Sequence, residues 1–201
     1  MLVLWPMAAP RAVRAGLKSM RQLQMQEIER QTLDYSCGAA ALAILLRLYF
    51  GHPLHEQDVL ADIIVRLPKP ELADRIKNGF SMLDLKQSAQ RMGYAATGVR
   101  LNMEQAMRLK GPVIVLLYRD GLKHFVVLKG IVQGRALLAD AVRGHVRLPL
   151  HELAQQWHGE TLVVGREQFG FSSFHALAPA NGNAVAPEQE TVRALRHLPL
   201  N

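Results

Sequence analysis

The sequence is poor in the residues that mark several common classes of protein. Cys37 is the single cysteine among 201 residues, which excludes an internal disulfide framework but does not fix the cellular compartment. Aromatic residues make up 6% of the chain, too few to interleave with its 24 lysines and arginines as a nucleic-acid-binding surface requires. The net charge of +7 therefore indicates a solvated basic face, and we expect no nucleic-acid partner.

Other signals are missing as well. No apolar stretch is long enough to span a membrane, and no phosphate-binding loop occurs. Several histidines have no metal-ligand spacing with one another or with Cys37; they are His52, His55, His158 and His175. We therefore expect neither a metal site nor a cofactor.

The order of the local patterns predicts an α+β domain. With 49% hydrophobic and 20% charged residues, a chain of this length can bury one core. Helical patterns come first, at 37–48, 53–65 and 82–92, whereas the polar segment 66–78 is predicted to be a loop or a short helix. Strand patterns follow at 112–118, 123–131, 135–140, 145–148 and 160–164, with a short helix at 150–157. A helical part should therefore pack on a C-terminal antiparallel sheet.

Cys37 lies where a polar loop turns into an apolar helix. The run from Ala39 to Leu48 is rich in helix formers and is followed by Gly51-His52-Pro53, a helix stop signal. Unpaired N–H groups and the positive end of the helix dipole favour a thiolate at such a first turn. A lone cysteine is more often a small buried hydrophobic residue, and that alternative stays open. The polar residues before Cys37 and the small Gly38 after it favour a nucleophile.

The stretch Gln31–Ala43, which contains Asp34-Tyr35-Ser36-Cys37-Gly38, resembles the nucleophile motif of the bacteriocin-processing, double-glycine leader peptidases. These enzymes are papain-like cysteine peptidases. Further matching segments follow in the family's order and approximate spacing, at 78–86, 93–94, 111–117, 123–128 and 138–140. The resemblance covers about residues 25–165 and implies a papain-like fold, in which the nucleophile helix faces an antiparallel sheet.

A cysteine nucleophile needs a base, and His124 is the first candidate. It lies at the start of a predicted strand, and Asp140 ends the next one, with the turn Gln133-Gly134 between them. If the start of one strand pairs with the end of the other, Asp140 can accept from His124 and fix its tautomer. Taken singly, such residues are more often a surface histidine and a turn former. His145 and His151 compete as bases but lack the apolar strand around His124.

The resemblance implies roles for three more residues. Gln31 is expected to donate to the oxyanion together with the backbone N–H of Cys37, and its alternative role is to cap the loop. Gly79 and Phe80 match a region that borders the family's substrate cleft, which makes them candidate subsite residues. The family usually has proline after the triad aspartate, where this chain has Ala141; the change loosens the turn and removes no catalytic group.

Both ends of the chain fall outside the predicted peptidase domain, residues 25–165. Residues 1–24 are expected to be an arm or the remnant of an export signal, because their start is apolar but lacks the basic residues of a signal peptide. Residues 166–201 are expected to form a largely irregular tail, linker-like over 178–187 and with one helical turn near 188–196. A periplasmic or otherwise exported location follows, with a cytoplasmic one as the alternative.

The candidate residues and the resemblance together predict a cysteine peptidase. The resemblance implies that its substrate is a leader or a small exported protein, cut after small residues, typically Gly-Gly. The resemblance is to stand-alone members, some of which accompany Gram-negative secretion systems that export functional amyloid. It implies a peptide or protein substrate and, as a partner, a secretion-system or fibre-export component. Two alternatives stay open: a peptidase-like domain that binds an export substrate without cutting it, and acyl transfer by the same three residues.

Overall fold

The structure is a computed structural model that describes residues 19–178. Residues 1–18 of the predicted arm or export-signal remnant, most of the linker-like segment and the helical turn near 188–196 lie outside these residues. The helices are α1 (Met20–Gln24), α2 (Cys37–Leu48), α3 (Glu56–Ile64), α4 (Lys69–Asn78), α5 (Met82–Arg91), α6 (Met103–Met107) and α7 (Leu150–Gln156). The strands are β1 (Ala95–Arg100), β2 (Val113–Arg119), β3 (Leu122–Val132), β4 (Arg135–Asp140), β5 (Gly144–Pro149) and β6 (Trp157–Gly165).

The strands form one antiparallel sheet in the order β1-β6-β2-β3-β4-β5. Helices α2, α3 and α5 cover one face of the sheet, and α6 and α7 cover the other. Strand β2 is buried on both faces, since Ile114 and Leu116 enter one core while Val113 and Val115 enter the other. Burial on both faces explains the unbroken apolar run of this strand. The predicted α+β class is confirmed.

Two elements differ from the prediction. Residues 66–78, predicted to be a loop or a short helix, contain the ten-residue helix α4. Pro68 and Pro70 lie at its start, where proline is compatible with a helix because the first N–H groups have no intrahelical partner. Strand β6 begins at Trp157 instead of Glu160, because Trp157 leaves α7 in an extended conformation and passes directly into the strand.

Helix α2 is the centre of the larger core. Ten of its twelve residues are buried, and small side chains occupy its first turns. A Cβ atom added at Gly38 would lie 3.1 Å from the methyl groups of Leu85 and 3.2 Å from the ring of Phe125. The small residue after Cys37 thus lets the start of α2 pack directly on β3.

Two tight turns set the register on either side of β3. Both residues of Asp120-Gly121 have a left-handed backbone, with φ of 52° and 76°, and Gln133-Gly134 has φ of 50° and 73°. Such turns match the twist of a two-residue hairpin. The second hairpin and a register shift of one residue between Leu128 and Gly130 place Ala139 opposite Val127, so Asp140, the last residue of β4, lies near the start of β3. This is the strand pairing that the sequence predicts.

The segment between α1 and α2 docks on the turn between β4 and β5. The backbone N–H of Gln31 donates to the carbonyl of Ala141 at 3.2 Å, and Nε2 of His145 donates to the carbonyl of Gln26 at 3.0 Å. Gly144 lies against the same segment in a left-handed conformation, with φ of 79°. The loop before Cys37 and the turn after Asp140 therefore hold each other in place.

We expect Gly144→Ala to destabilise the fold far more than Gly134→Ala. Both glycines are left-handed, at a cost of roughly 1–2 kcal/mol for alanine. A Cβ at Gly134 meets open space, whereas a Cβ at Gly144 would overlap the backbone carbonyl of Gln24. Thermal unfolding should show a modest loss for Gly134→Ala and at least about twice that loss for Gly144→Ala. Equal losses would show that the segment around Gln24 moves away from residue 144 without a cost in free energy.

Beyond β6, the chain runs on through turns to residue 178. Phe169 contacts the rings of Tyr49 and Phe50 at centroid distances of 5.4 and 4.8 Å, and Leu177 is fully buried. The first part of the predicted tail thus packs on the C-terminal end of α2. Within residues 19–178, no helix combines the length and the apolar character that crossing a membrane requires.

Candidate active site

Cys37 is the first residue of α2, and its side chain faces the sheet at 7% exposure. The buried hydroxyl of Ser36 fixes the loop just before it, because it donates to the carbonyl of Leu33 at 2.7 Å and accepts from the N–H of Leu33 at 3.2 Å. The backbone N–H of Cys37 lies in the first turn, where N–H groups have no intrahelical partner. The thiol and a free donor therefore sit at the same helix tip.

The ring of His124 lies between Cys37 and Asp140. Its Nε2 atom is 3.0 Å from Oδ1 of Asp140, and the side chain of Cys37 lies near enough to the ring to raise the pKa of His124. Since Nε2 faces the carboxylate, Nδ1 is the nitrogen left for the sulfur. The structure thus brings these three predicted residues together, from one helix tip and two adjacent strands.

The carboxylate of Asp140 is completely buried and fully engaged. Oδ1 accepts from Nε2 of His124, from the N–H of Val142 at 2.8 Å and from the N–H of Arg143 at 3.2 Å. Oδ2 accepts from Nε of Arg143 at 2.6 Å. Burial alone would raise the pKa of Asp140, but these hydrogen bonds and the charge of His124 outweigh it and hold the pKa well below the ordinary range. Asp140 is therefore an anion at neutral pH.

The pKa of His124 is raised from 6.5 to about 9. Burial of the ring acts in the opposite direction, but it is outweighed by the hydrogen bond and the negative charge of Asp140 and by the interaction with the side chain of Cys37. At neutral pH His124 is therefore an imidazolium beside the carboxylate of Asp140. Enzymes activate a cysteine nucleophile by placing it beside such a cation, so the arrangement is suited to nucleophilic chemistry.

Gln31 lies in the same loop, but its amide is engaged locally. Its Nε2 donates to the carbonyl of Leu33 at 3.1 Å, and its Oε1 is buried with no hydrogen-bond partner among the described residues. The side chain is half-buried. Nε2 carries a second N–H, so the bond to Leu33 leaves one donor of the amide for an oxyanion. Its predicted role stays a prediction.

The two candidate subsite residues lie just after α4. Gly79 is half-exposed and ends the helix with φ of 81°. Phe80 is 4% exposed, and its ring packs edge-to-face on Tyr35 with the centroids 5.9 Å apart. The ring of Phe80 therefore supports the loop that carries Cys37, and very little of its surface is open to a ligand. Contact between a substrate and these two residues stays a prediction.

The competing histidines occupy other places. His145 bonds to Nζ of Lys129 at 3.2 Å and to the Gln26 carbonyl, and His151 is exposed beside Glu152. Sequence reasoning missed Arg143. The available signal was a basic residue three positions after the candidate aspartate, a spacing that a turn can close.

The sequence matches the model of the peptidase C39 family over residues 25–168. The probable functional amyloid protease FapD of Pseudomonas aeruginosa is 38% identical over 148 residues, which are 74% of this chain and 64% of that protein. The chain thus spans just under two thirds of this relative. The probable functional amyloid protease FapD of Pseudomonas fluorescens is 31% identical over 161 residues, which are 80% of this chain and 69% of the relative.

Solved structures share the fold. A double glycine motif protease from an AMS/PCAT transporter, in complex with the leader peptide, has a TM-score of 0.57 and 27% identity and covers 69% of this chain and 90% of its own. The peptidase domain of Streptococcus ComA has a TM-score of 0.59, covers 69% of this chain and 97% of its own and, at 17% identity, supports the fold alone. The predicted papain-like fold and the resemblance to double-glycine leader peptidases are confirmed. The family match, which spans α2 and the whole sheet, shows that this chain belongs to the peptidase C39 family of cysteine peptidases.

Proposed function

We propose that this chain is an endopeptidase in which Cys37 is the nucleophile, His124 the acid and base, and Asp140 the group that orients His124. The observation that carries the proposal is the placing of the His124 imidazole beside the thiol of Cys37 and in a hydrogen bond with the buried carboxylate of Asp140. The same order of roles defines a catalytic triad with a cysteine nucleophile. We assign this activity to residues 25–165.

In the first half of the reaction, the sulfur of Cys37 bonds to the carbonyl carbon of the scissile peptide, and the carbonyl electrons move to the oxygen. The backbone N–H of Cys37 and the amide of Gln31 donate to this oxyanion; such a side-chain donor is worth roughly 10²–10³ in turnover. When the oxyanion collapses, the C–N bond breaks and His124 gives its proton to the leaving amine. The product is a thioester on Cys37.

In the second half, His124 takes a proton from a water molecule whose oxygen attacks the thioester carbon. The C–S bond then breaks, the acid product leaves, and the thiolate and imidazolium are restored. Asp140 stays an anion throughout and holds the ring so that one nitrogen always faces the sulfur.

For the substrate, we infer a leader or a small exported protein that is cut after small residues of the Gly-Gly type. Two similarities support this: a protease named for the double glycine motif, with a leader peptide bound, and relatives named functional amyloid proteases. Such a substrate places the activity with a secretion-system or fibre-export component and in the periplasm or another exported location. The geometry favours cleavage over mere binding, because the imidazole of His124 lies beside the thiol and is hydrogen-bonded to the buried carboxylate.

Alkylation by iodoacetamide at neutral pH tests the core of this proposal. Wild-type Cys37 should react quickly, and His124→Ala should slow the reaction by about tenfold or more, because the thiolate loses its cationic partner. Cys37→Ser supplies the unlabelled control. Slow labelling that His124→Ala leaves unchanged would contradict a peptidase and favour a domain that only binds an export substrate. Transfer of an added amine to a Gly-Gly peptide, in place of hydrolysis, would indicate acyl transfer.

A further inference from the structure

We infer that Arg143 is a positioning residue, which locks the carboxylate of Asp140 and through it the ring of His124. The inference rests on the proposed function for its consequence in catalysis, but the contacts that carry it are independent of any substrate. Arg143 reaches the carboxylate by two routes, with its backbone N–H on Oδ1 at 3.2 Å and its side-chain Nε on Oδ2 at 2.6 Å.

The two carboxylate oxygens of Asp140 have unequal support. Oδ1 accepts from His124 and from two backbone N–H groups, whereas among the described residues Nε of Arg143 is the donor found on Oδ2. The side chain of Asp140 is 0% exposed, so bulk water cannot replace a donor that is lost. A buried oxygen without a donor is costly, and the carboxylate would turn to find one. Such a turn moves Oδ1 away from Nε2 of His124.

Charge makes a second contribution. The guanidinium, 31% exposed, forms an ion pair with the same carboxylate that pairs with His124. Arg143 and His124 thus pair with the same carboxylate. The positive charge of the guanidinium disfavours the protonated form of His124, while its hydrogen bond holds the carboxylate in place. Removing the charge of Arg143 should therefore raise the pKa of His124 and also let the carboxylate move, and the two effects can be measured separately.

The first measurement is the pH dependence of Cys37 alkylation by iodoacetamide, which needs no substrate. In Arg143→Gln the step that marks proton loss from His124 should move upward by about half a pH unit, because a neighbouring positive charge is gone. Arg143→Lys keeps the charge, so its step should stay at the wild-type pH. Arg108→Gln is the matched control, since Arg108 pairs with Glu104 on the exposed face of α6.

The second measurement is cleavage of a Gly-Gly peptide. Arg143→Gln should lower kcat roughly tenfold with little change in KM, because a misplaced catalytic ring slows the reaction without weakening binding. Arg143→Lys should recover part of this loss, since lysine lacks the planar Nε donor. A role confined to stability would lower the unfolding temperature of Arg143→Gln and leave both kcat per folded molecule and the alkylation profile unchanged, and that result would overturn the inference.

The outcomes also separate this inference from the proposed function. If Cys37 of the wild type is alkylated rapidly but no peptide is cleaved, the peptidase proposal is wrong, and the pH profile of alkylation still tests the role of Arg143. If Arg143→Gln does not fold, Arg143→Lys provides the test. A reduced kcat with the alkylation step at the wild-type pH supports the positioning role, and a wild-type kcat contradicts it.

Discussion

Cys37→Ala and His124→Ala are each expected to reduce cleavage of a Gly-Gly peptide by at least about 10⁴-fold, to the rate of the uncatalysed reaction plus what binding alone supplies. Without sulfur no thioester can form, and without the imidazole neither the leaving amine nor the attacking water exchanges its proton. The two residues act as one unit in the proposed mechanism, since the side chain of Cys37 lies beside the ring and raises its pKa. The double variant should therefore be no slower than either single variant.

Initial rates of peptide cleavage, measured by mass spectrometry of the two products, check this expectation. His151→Ala is the matched control, because that ring is largely exposed and lies beside Glu152 at 4.0 Å. It should keep wild-type activity. An His124→Ala variant that retains a tenth or more of the wild-type kcat would show that another group supplies the proton, and the proposed mechanism would be wrong.

Much of this site could be predicted because its geometry follows from local rules. The two hairpin turns contain residues that adopt a left-handed backbone, and a two-residue turn fixes the register of the residues next to it. That register brings the end of β4 near the start of β3, so the approximate neighbourhood of His124 and Asp140 follows from turn chemistry. The shift of one residue between Leu128 and Gly130, which sets the final pairing, does not. The helix start at Cys37 likewise follows from a run of helix formers after a polar loop.

The features that were not predicted depend on tertiary contacts. Helix α4 has two prolines near its start and polar residues throughout, so its pattern does not separate it from a loop. The role of Arg143 requires knowing that Asp140 is completely buried and has one oxygen left to satisfy. The burial of Phe80 arises because Tyr35, in the loop before Cys37, packs on its ring. The burial of Asp140 and the packing of Tyr35 on Phe80 depend on residues that are distant in sequence, so neither leaves a local pattern.

Asp140→Asn is expected to move the alkaline limit of activity downward. In the wild type, kcat/KM should fall as the pH rises through about 9, the pKa of His124, because the imidazolium that pairs with the thiolate and protonates the leaving amine is lost there. A neutral amide removes one of the two negative charges that raise this pKa. The limit should drop by at least about one pH unit, and kcat/KM at pH 8 should fall by roughly 10²-fold or more.

The same substitution should weaken the fold, and the sign follows from both pKa values. The pKa of Asp140 is lower in the folded protein than its ordinary value of 3.8, so the carboxylate stabilises the fold above that pH and loses this effect only in strong acid. The pKa of His124 is raised, so its contribution is complete below 6.5 and disappears as the pH rises through about 9. Asparagine removes the anion and leaves the cations of His124 and Arg143 facing a buried amide. The free energy of unfolding should therefore fall by about 3 kcal/mol or more at neutral pH.

Asp120→Asn separates these effects from a general response to losing a carboxylate. Asp120 is exposed at the tip of the first hairpin, pairs with Arg119 at 3.2 Å, and has a left-handed backbone that asparagine also accepts. Its variant should keep the wild-type pH profile and unfolding temperature, since an exposed ion pair contributes little. If Asp140→Asn retains an alkaline limit near pH 9, the charge of Asp140 does not govern His124, and the ring must owe its proton to Cys37 alone. In that case the buried carboxylate would serve the turn between β4 and β5, and the catalytic unit would reduce to a cysteine–histidine pair.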